Sequence, residues 1–330
     1  MIPAVQIVGG GPAGASAAIS ALLHGAQVEL FEKSTFPRHK VCGEFLSPEV
    51  QPVFEKLDIW RHFLGKLPAP IRRMELRIGS AVKQWSLPEP AYGLSRFSLD
   101  KMLLDLAAER GARIIKHSHK GSTTGPLILA AGRQGSAPKG HRIFGFKAHF
   151  SGPVEDCVSL CFFSGGYIGI GPIENNATNV CGLAREDTLA AVRFDIDSFV
   201  NNIPYVKDRL TPMTRTTRWL VTGPLIMSTS LRKPGHDLIY PAGDALSFID
   251  PFTGSGMASA ILTGSLAGAA AARGRSVESY FSECRKSLSQ PFELAHLFRR
   301  VLERGWADRV ARFIPASVLF RMTRIHPFAI

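Results

Sequence analysis

The first 32 residues of the chain constrain its fold more than any other segment. A short apolar run is followed by the glycine-rich sequence GGGPAG (residues 9–14), an alanine-rich stretch of helical pattern and a second apolar run. This order predicts a strand, a tight turn, a helix and a second strand. In such a unit Gly9 allows the tight turn, Gly11 lets the backbone approach a pyrophosphate, and Gly14 lets the helix pack closely on the sheet.

An acidic residue closes the second strand. Glu32 lies 18 residues after Gly14, where a carboxylate can accept hydrogen bonds from ribose hydroxyls. The N-terminus of the intervening helix presents free N–H groups to phosphates. A glycine turn without a ligand is the alternative, but strand, helix and terminal acid all occur in the required order. We therefore expect a dinucleotide site.

A second glycine-rich segment indicates which dinucleotide is bound. An apolar strand runs into Gly243-Asp244, and the sequence PFTGSGM (residues 251–257) leads into a helix of small residues. One βαβ unit suffices for a nicotinamide cofactor, whereas the long ribityl and flavin half of FAD needs its own anchor. Asp244 is suited to ribityl hydroxyls or phosphate-bridging waters, and the N–H groups of Gly256 and Met257 to the flavin ring.

Four motifs, spread over most of residues 1–272, carry a family resemblance. They are the glycine turn through Glu32, KVCGEFLSP (40–48), SRFSLD (95–100) and the Gly-Asp segment with PFTGSG (251–256). Together they resemble the geranylgeranyl reductase-like branch of the FAD-dependent oxidoreductases, within the aromatic hydroxylase-like flavoproteins. The resemblance implies that FAD is lined by Ala13, Glu32, Cys42, Gly43, Arg96, Asp244, Gly256 and Met257.

Arg96 also has a physical reason to lie near the cofactor. A pyrophosphate needs a cationic partner, and the guanidinium group is suited to oxyanions. The alternative is a surface charge beside a helix start, with Ser98 capping a helix that begins at Leu99. The neighbouring motifs favour the FAD role.

The sequence departs from the family pattern between its third and fourth motifs. Only a short polar stretch, residues 116–125, precedes the apolar run at 127–129, and Ala131-Gly132 replaces the Asp-Gly expected from the family. The trimmed segment normally flanks the adenine side, so direct reduction by NAD(P)H is in doubt. With one dinucleotide fingerprint already assigned to FAD, we expect NAD(P)H or a reduced partner protein to act only as a transient electron donor.

The predicted fold class is α/β, with a doubly wound FAD-binding domain, an inserted α+β substrate domain built on an antiparallel sheet, and a C-terminal helical segment. Residues 142–150, 158–163 and 167–172 have the strand-forming composition of that sheet. The FAD-binding domain is assigned to 1–70, 94–135 and 236–275, the substrate domain to 71–93 and 136–235, and the C-terminal segment to 276–330.

Cysteine usage indicates a reducing compartment. Five cysteines form no C-x-x-C pair and no metal-type cluster, and the first strand starts almost at the N-terminus, so we expect a cytoplasmic protein with free thiols. Cys42 is the candidate catalytic residue, because its motif should approach the flavin, although a packing role is equally compatible.

Trp85 and Trp219 are suited either to a substrate pocket or to the core. His39, His149 and His236 have no carboxylate at a telling spacing along the chain, which favours a structural or solvated role for each.

The favoured chemistry, implied by the resemblance, is hydride transfer from reduced flavin to a C=C bond of an apolar, isoprenoid-like substrate. A monooxygenase of the same fold is the alternative enzyme, and an FAD-retaining inactive binding protein is the alternative from another class. Halogenation ranks lower, because the tryptophan-rich motif expected of flavin-dependent halogenases is absent.

The C-terminal residues 285–330 carry nine Lys or Arg and three acidic residues, which is +6 of the net charge of +12. Apolar residues such as Phe298 and Trp306 recur among the arginines at helical spacing. One interpretation is a helix packed on the FAD domain with a solvated basic face. The other is a helix resting on an anionic membrane surface. A nucleic-acid partner is not expected, since no recognition fold accompanies the charge.

Sedimentation with liposomes separates the two interpretations of this segment. If the segment binds membranes, each arginine that reaches the surface adds about 1 kcal/mol of attraction. Binding should then require anionic lipid, weaken with salt, and fall when Arg299, Arg300 and Arg304 are changed to glutamine. Protein that stays in the supernatant at low salt would show that the segment only packs on the fold.

Overall fold

The computed structural model describes residues 4–117, 125–133, 142–226, 231–232, 234–248, 251–288 and 324. The strands are β1 (Val5–Val8), β2 (Val28–Phe31), β3 (Phe45–Leu46), β4 (Ala69–Ile78), β5 (Ala81–Gly93), β6 (Arg113–Ile115), β7 (Leu127–Leu129), β8 (Ile143–Ser151), β9 (Cys157–Phe163), β10 (Gly166–Ile173), β11 (Ala177–Arg185), β12 (Thr214–Arg215), β13 (Leu220–Leu225) and β14 (Ile239–Pro241). The α-helices are α1 (Pro12–Leu23), α2 (Val50–Lys56), α3 (Trp60–Leu64), α4 (Arg96–Glu109), α5 (Glu186–Ala190), α6 (Ile196–Asn201), α7 (Pro204–Leu210) and α8 (Gly256–Ala272). Residues 277–288 are also helical.

The smaller sheet is parallel, with the strand order β14, β7, β1, β2, β6. Because its strands run in the same direction, their carboxyl ends meet at one edge, where ligands bind in open α/β sheets. The glycine turn after β1 and the Gly243-Asp244 turn after β14 both lie at this edge. The two glycine-rich segments of the sequence are therefore brought together.

Helices α1 and α8 pack against each other without large side chains between them. A Cβ on Gly264 would lie 2.1 Å from the carbonyl oxygen of Ala13, and one on Gly268 would lie 2.2 Å from that of Ala17. Glycine at these positions lets the two backbones approach. The small residues that make up much of α8 therefore allow this close contact.

The larger sheet has nine strands and is antiparallel except at the β4–β9 pair. Its order is β12, β8, β11, β10, β9, β4, β5, β3, with β13 also paired to β8. Phe146 and Phe150 of β8 pack with Phe199 and Val200 of α6 in one apolar cluster. The helices α6 and α7 thus cover one face of this sheet, and the opposite face is turned toward the parallel sheet.

The predicted fold class is confirmed, because a parallel α/β sheet is combined with an antiparallel sheet carrying its own helices. The six segment boundaries stay a prediction.

The alternative start of α4 at Leu99 is wrong: the helix begins at Arg96, and the Ser95 hydroxyl accepts from the N–H of Ser98 as its cap. Ser98 is therefore inside the helix. Of the C-terminal segment, residues 289–323 and 325–330 lie outside the described residues.

Within the described ranges, none of the helices combines the length and apolar character needed to cross a bilayer. Helix α8 is buried along most of its length, as predicted for a helix that packs within the fold.

Substitution of Gly264 by alanine tests the close contact between α1 and α8. The added methyl group would overlap the Ala13 carbonyl, and such overpacking costs roughly 1–3 kcal/mol in the free energy of unfolding. The matched control is Gly235→Ala, since a Cβ at this exposed residue has nothing within 4 Å. Urea unfolding should show a clear loss for Gly264→Ala and almost none for Gly235→Ala, and equal losses would contradict the packing.

Candidate functional site

The glycine turn after β1 is shaped by two backbone contacts. Gly9 has φ +103° and a Cβ there would lie 2.3 Å from the Ala130 carbonyl oxygen, while a Cβ on Gly14 would lie 1.7 Å from that of Gly9. Both glycines are therefore required by packing. Gly11, the residue before α1, faces open space, since the nearest atom to its added Cβ is Arg96 Nη2 at 3.7 Å. The first turn of α1 is thus accessible to a ligand.

Glu32 closes this turn from the end of β2. Its carboxylate accepts hydrogen bonds from the N–H groups of Gly10 at 2.8 Å and Ser34 at 2.7 Å. Burial raises the pKa of Glu32, but these two bonds and the nearby Arg38 outweigh it, so that the pKa is lowered. Glu32 is anionic at neutral pH and suited to accept from ribose hydroxyls.

Arg96 stands opposite the glycine turn. Its Nε and Nη2 donate to the buried carboxylate of Asp100 at 2.5 and 2.7 Å. Burial lowers the pKa of Arg96 and Asp100 raises it, with a net increase, so the guanidinium stays charged. A fixed cation beside the start of α1 fits a pyrophosphate.

Asp244 lies in a short 3₁₀ turn that begins at Gly243, where φ is +59°. Burial raises the pKa of the Asp244 carboxyl, although Arg133, Arg96 and Lys40 lower it. Lys40 and Arg133 were not singled out from the sequence as cofactor residues, and Arg133 follows the Ala131-Gly132 pair that departs from the family pattern. Their convergence with Asp244 comes from the fold.

The start of α8 forms the next part of the wall. Gly256 and Met257 line the same cavity as the glycine turn, and the hydroxyl of Ser259 one turn later is buried with no hydrogen-bond partner among the described residues. The Arg324 guanidinium donates to the carbonyl of Thr253 just before the helix. Burial lowers the pKa of Arg324 to about 10, so it remains a cation at neutral pH. Sequence reasoning assigned no role to Arg324.

Cys42 and Gly43 are held by the substrate sheet. Asn179 of β11 donates from Nδ2 to the carbonyl oxygens of Cys42 at 3.1 Å and Gly43 at 2.9 Å. The N–H of Glu44 points to Cys42 Sγ at 3.4 Å. Burial raises the pKa of the Cys42 thiol, so the group is a neutral S–H at physiological pH. It is a proton donor rather than a nucleophilic thiolate.

A buried charged cluster supports this loop from behind. Glu44, with φ +54° and a fully buried carboxylate, accepts from Lys147 Nζ, from the Arg96 N–H at 2.6 Å and from His149 Nε2 at 2.6 Å. Burial raises the pKa of Glu44, but His149 and Lys147 lower it by more than burial raises it. The pKa is therefore lowered on balance, and Glu44 is anionic. The sequence offered no carboxylate at a telling spacing from His149, because its partner Glu44 lies 105 residues away along the chain.

One cavity of about 800 Å³ connects these elements. Ten of the predicted cofactor residues line it: Gly9, Gly11, Ala13, Glu32, Cys42, Gly43, Arg96, Asp244, Gly256 and Met257. The remaining one, Gly14, packs against the backbone of Gly9. The far wall comes from the larger sheet and is apolar: Met74, Leu76, Trp85, Val158, Leu160, Phe162, Ile170 and Leu183. Trp85 therefore belongs to the pocket. Trp219 packs on Phe146 and Phe150 in the core on the other face of the sheet.

The donor set fits FAD. The first turn of α1, the Arg96 guanidinium, the Asp244 carboxylate and the start of α8 all line the cavity. Their chemistry matches a ribose, a pyrophosphate and a polar chain that ends in a ring. The fold and the cavity together define a flavoprotein of the FAD-dependent oxidoreductase class.

Comparison with known proteins agrees with this class. The tryptophan halogenase family model matches residues 4–92. The menaquinone reductase of Mycobacterium tuberculosis is 36% identical over 119 residues, which cover 34% of this chain and only 28% of that protein. Digeranylgeranylglycerophospholipid reductase 2 of Methanosphaera stadtmanae is 26% identical over 315 residues, covering 82% of this chain and 77% of that protein.

The fold is shared with flavoproteins of known structure. The flavin-dependent brominase Bmp2 superposes with a TM-score of 0.78 at 17% identity, over 97% of this chain and 92% of the brominase. The chain thus shares its fold with a flavin-dependent brominase, and its sequence is similar to a digeranylgeranylglycerophospholipid reductase over most of its length. The resemblance predicted from its four motifs is confirmed.

Replacement of Asp244 by alanine tests the second anchor for the cofactor. We expect the variant to bind FAD more weakly, by roughly the 1–3 kcal/mol of a lost charged hydrogen-bonding group. Asp237→Ala is the control, because Asp237 is exposed and precedes β14. FAD affinity is measured by the quenching of flavin fluorescence, and equal effects of the two substitutions would show that Asp244 is not an anchor.

Proposed function

We propose that this protein binds FAD and uses it to reduce a carbon–carbon double bond of an apolar, isoprenoid-like substrate. The supporting observation is the composition of the cavity of about 800 Å³ between the described residues. Its cofactor-binding wall and its apolar wall meet at a loop that carries a neutral thiol, Cys42. Such a cavity can hold an apolar chain against a flavin and supply a proton there.

Each part of the cavity has its own task in this proposal. Gly11, Arg96 and Asp244 hold the cofactor, and the wall formed by Leu76, Leu160 and their neighbours aligns the substrate and excludes water. The flavin, when bound, supplies a hydride to one carbon of the double bond. The Cys42 S–H gives its proton to the other carbon, and the resulting thiolate regains a proton from water. The alkene thereby gains two hydrogens.

Electrons reach the flavin from outside the cavity in this proposal. The described parallel sheet contains one glycine-rich βαβ unit, and that unit forms the FAD wall. NAD(P)H, or a reduced partner protein, therefore acts as a transient donor. The apolar nature of the substrate also favours peripheral contact with a membrane through the basic C-terminal segment.

An oxygen-dependent reaction is the second candidate. The fold shared with a flavin-dependent brominase favours a monooxygenase-type use of the reduced flavin. The two candidates differ in their need for oxygen, which makes them separable in one experiment.

That experiment is anaerobic photoreduction of the FAD-loaded protein, followed by addition of isoprenoid alkenes or of oxygen. We expect reoxidation of the flavin by an alkene without oxygen, with the saturated product detected by mass spectrometry. Fast oxygen consumption that depends on the substrate, with an oxygenated product, would favour the monooxygenase. A flavin that cannot be cycled would indicate an inactive binding protein.

Cys42→Ser tests the proton donor. We expect the variant to retain FAD and to lose about 10²- to 10⁴-fold in alkene reduction, the range of general acid catalysis. Cys157→Ser is the matched control: Cys157 is a buried thiol on β9, outside the lining of the cavity. Similar rates for the two variants would remove Cys42 from the mechanism.

A further inference from the structure

The buried cluster of Glu44, Lys147 and His149 performs no task in the binding of FAD or of an apolar chain. The Glu44 side chain is fully buried, and those of Lys147 and His149 are 1% and 8% exposed. Burial of charge is costly unless the charges are paired and hydrogen-bonded. Glu44 meets this condition, because both of its oxygens accept from donors on β8 and α4.

The same residue contacts the candidate proton donor. The backbone N–H of Glu44 points to Cys42 Sγ at 3.4 Å, while its carboxylate holds Lys147 and His149. Lys147 is the register partner of Cys181 across the β8–β11 pair, and Cys181 lines the cavity together with Cys42. The Glu44 carboxylate and the Lys147 ammonium are therefore near enough to act electrostatically on the thiol.

We propose that the Glu44 carboxylate of this cluster offsets the cations beside Cys42 and so helps to keep Cys42 in its acid form, from which the thiol delivers its proton to the substrate. This inference rests on the proposed reductase function. Glu44 is the positioning residue in it, because it fixes the loop and sets the charge behind the sulfur. The Lys147 ammonium and the His149 N–H hold the Glu44 carboxylate anionic.

The groups that face Cys42 come from several elements. Burial and the Glu44 carboxylate favour the thiol, whereas Arg96 of α4, the N–H of Glu44 and Lys147 of β8 favour the thiolate. Burial prevails, so the pKa of Cys42 is raised. Cys181 of β11 is itself neutral, because burial raises its pKa to about 12. His149 stacks edge-on with His39 at 5.3 Å, which links the cluster to an exposed ring. Loss of the Glu44 charge would leave two cations acting on the sulfur.

The test is the pH dependence of Cys42 alkylation by iodoacetamide in the FAD-loaded protein without substrate, with modification of the Cys42 peptide measured by mass spectrometry. Because only the thiolate reacts, the midpoint of the rate profile reports the pKa of the thiol. Glu44→Gln should lower the midpoint by about 1 unit or more, the effect of one nearby charge. The high-pH decline of alkene reduction should shift downward by the same amount.

Glu75→Gln is the matched control, as Glu75 is also a buried carboxylate held by an arginine, Arg77, but lies outside the lining of the cavity. Its Cys42 profile should equal that of the wild type. An unchanged midpoint in Glu44→Gln, or an equal shift in Glu75→Gln, would overturn the proposal. If Glu44→Gln does not fold, the double variant Glu44→Gln/Lys147→Met, which leaves neither partner of the buried ion pair unpaired, carries the test. A midpoint below that of the wild type supports the proposal, because the Glu44 charge has the larger effect on Cys42, and an unchanged or higher midpoint overturns it.

The proposed function and this inference fail separately. Wild-type protein that reduces no alkene would overturn the reductase proposal and with it the purpose assigned to the cluster. The alkylation midpoint would still measure the electrostatic part, because it is read without substrate or turnover.

Discussion

The contact between α1 and α8 is the constraint on which the rest of the site depends. Gly264 and Gly268 allow the α8 backbone to approach the carbonyls of Ala13 and Ala17 to distances that a Cβ would prevent. Both helices begin at the carboxyl edge of the parallel sheet, so their N-termini open into the same cavity. Two glycine-rich motifs separated by more than 200 residues thereby become one cofactor wall.

The cavity has two chemically different sides because the two sheets contribute different residues. The parallel sheet, its turns and α4 supply Glu32, Asp244 and Arg96. Backbone N–H groups keep Glu32 anionic and Asp100 keeps Arg96 cationic, whereas burial raises the pKa of Asp244 against the effect of nearby cations. The antiparallel sheet supplies aliphatic and aromatic side chains. The loop at Cys42 lies where the two sides meet. Its backbone is bound by Asn179 of the antiparallel sheet, and its thiol feels the charge of Arg96 on the cofactor side.

The sequence predicted those parts of the site whose geometry is local. The turn at Gly9, the acid at Glu32 and the start of α8 at Gly256 follow from residues close together in the chain, since glycine conformation and helix termini are decided within a few positions. These motifs also sufficed for the fold class. The alternative cap of α4 at Ser98 lies three residues from the actual cap, because Ser95 and Ser98 are both capable N-caps and only the tertiary structure chooses between them.

The sequence did not predict contacts between distant segments. Glu44 meets Lys147 and His149 across 103 and 105 positions, and Arg324 reaches Thr253 across 71. No periodicity or spacing indicates such pairs in a single sequence. Their signal is the burial of charged residues, which is visible only after the sheets have been assembled.

The flavin content of the purified, reconstituted protein tests the central claim most directly. The cofactor is released by denaturation, identified by chromatography and quantified against the protein. The account predicts equimolar, non-covalently bound FAD in a folded and yellow protein. A correctly folded protein that retains neither FAD nor FMN would contradict the assignment of the cavity.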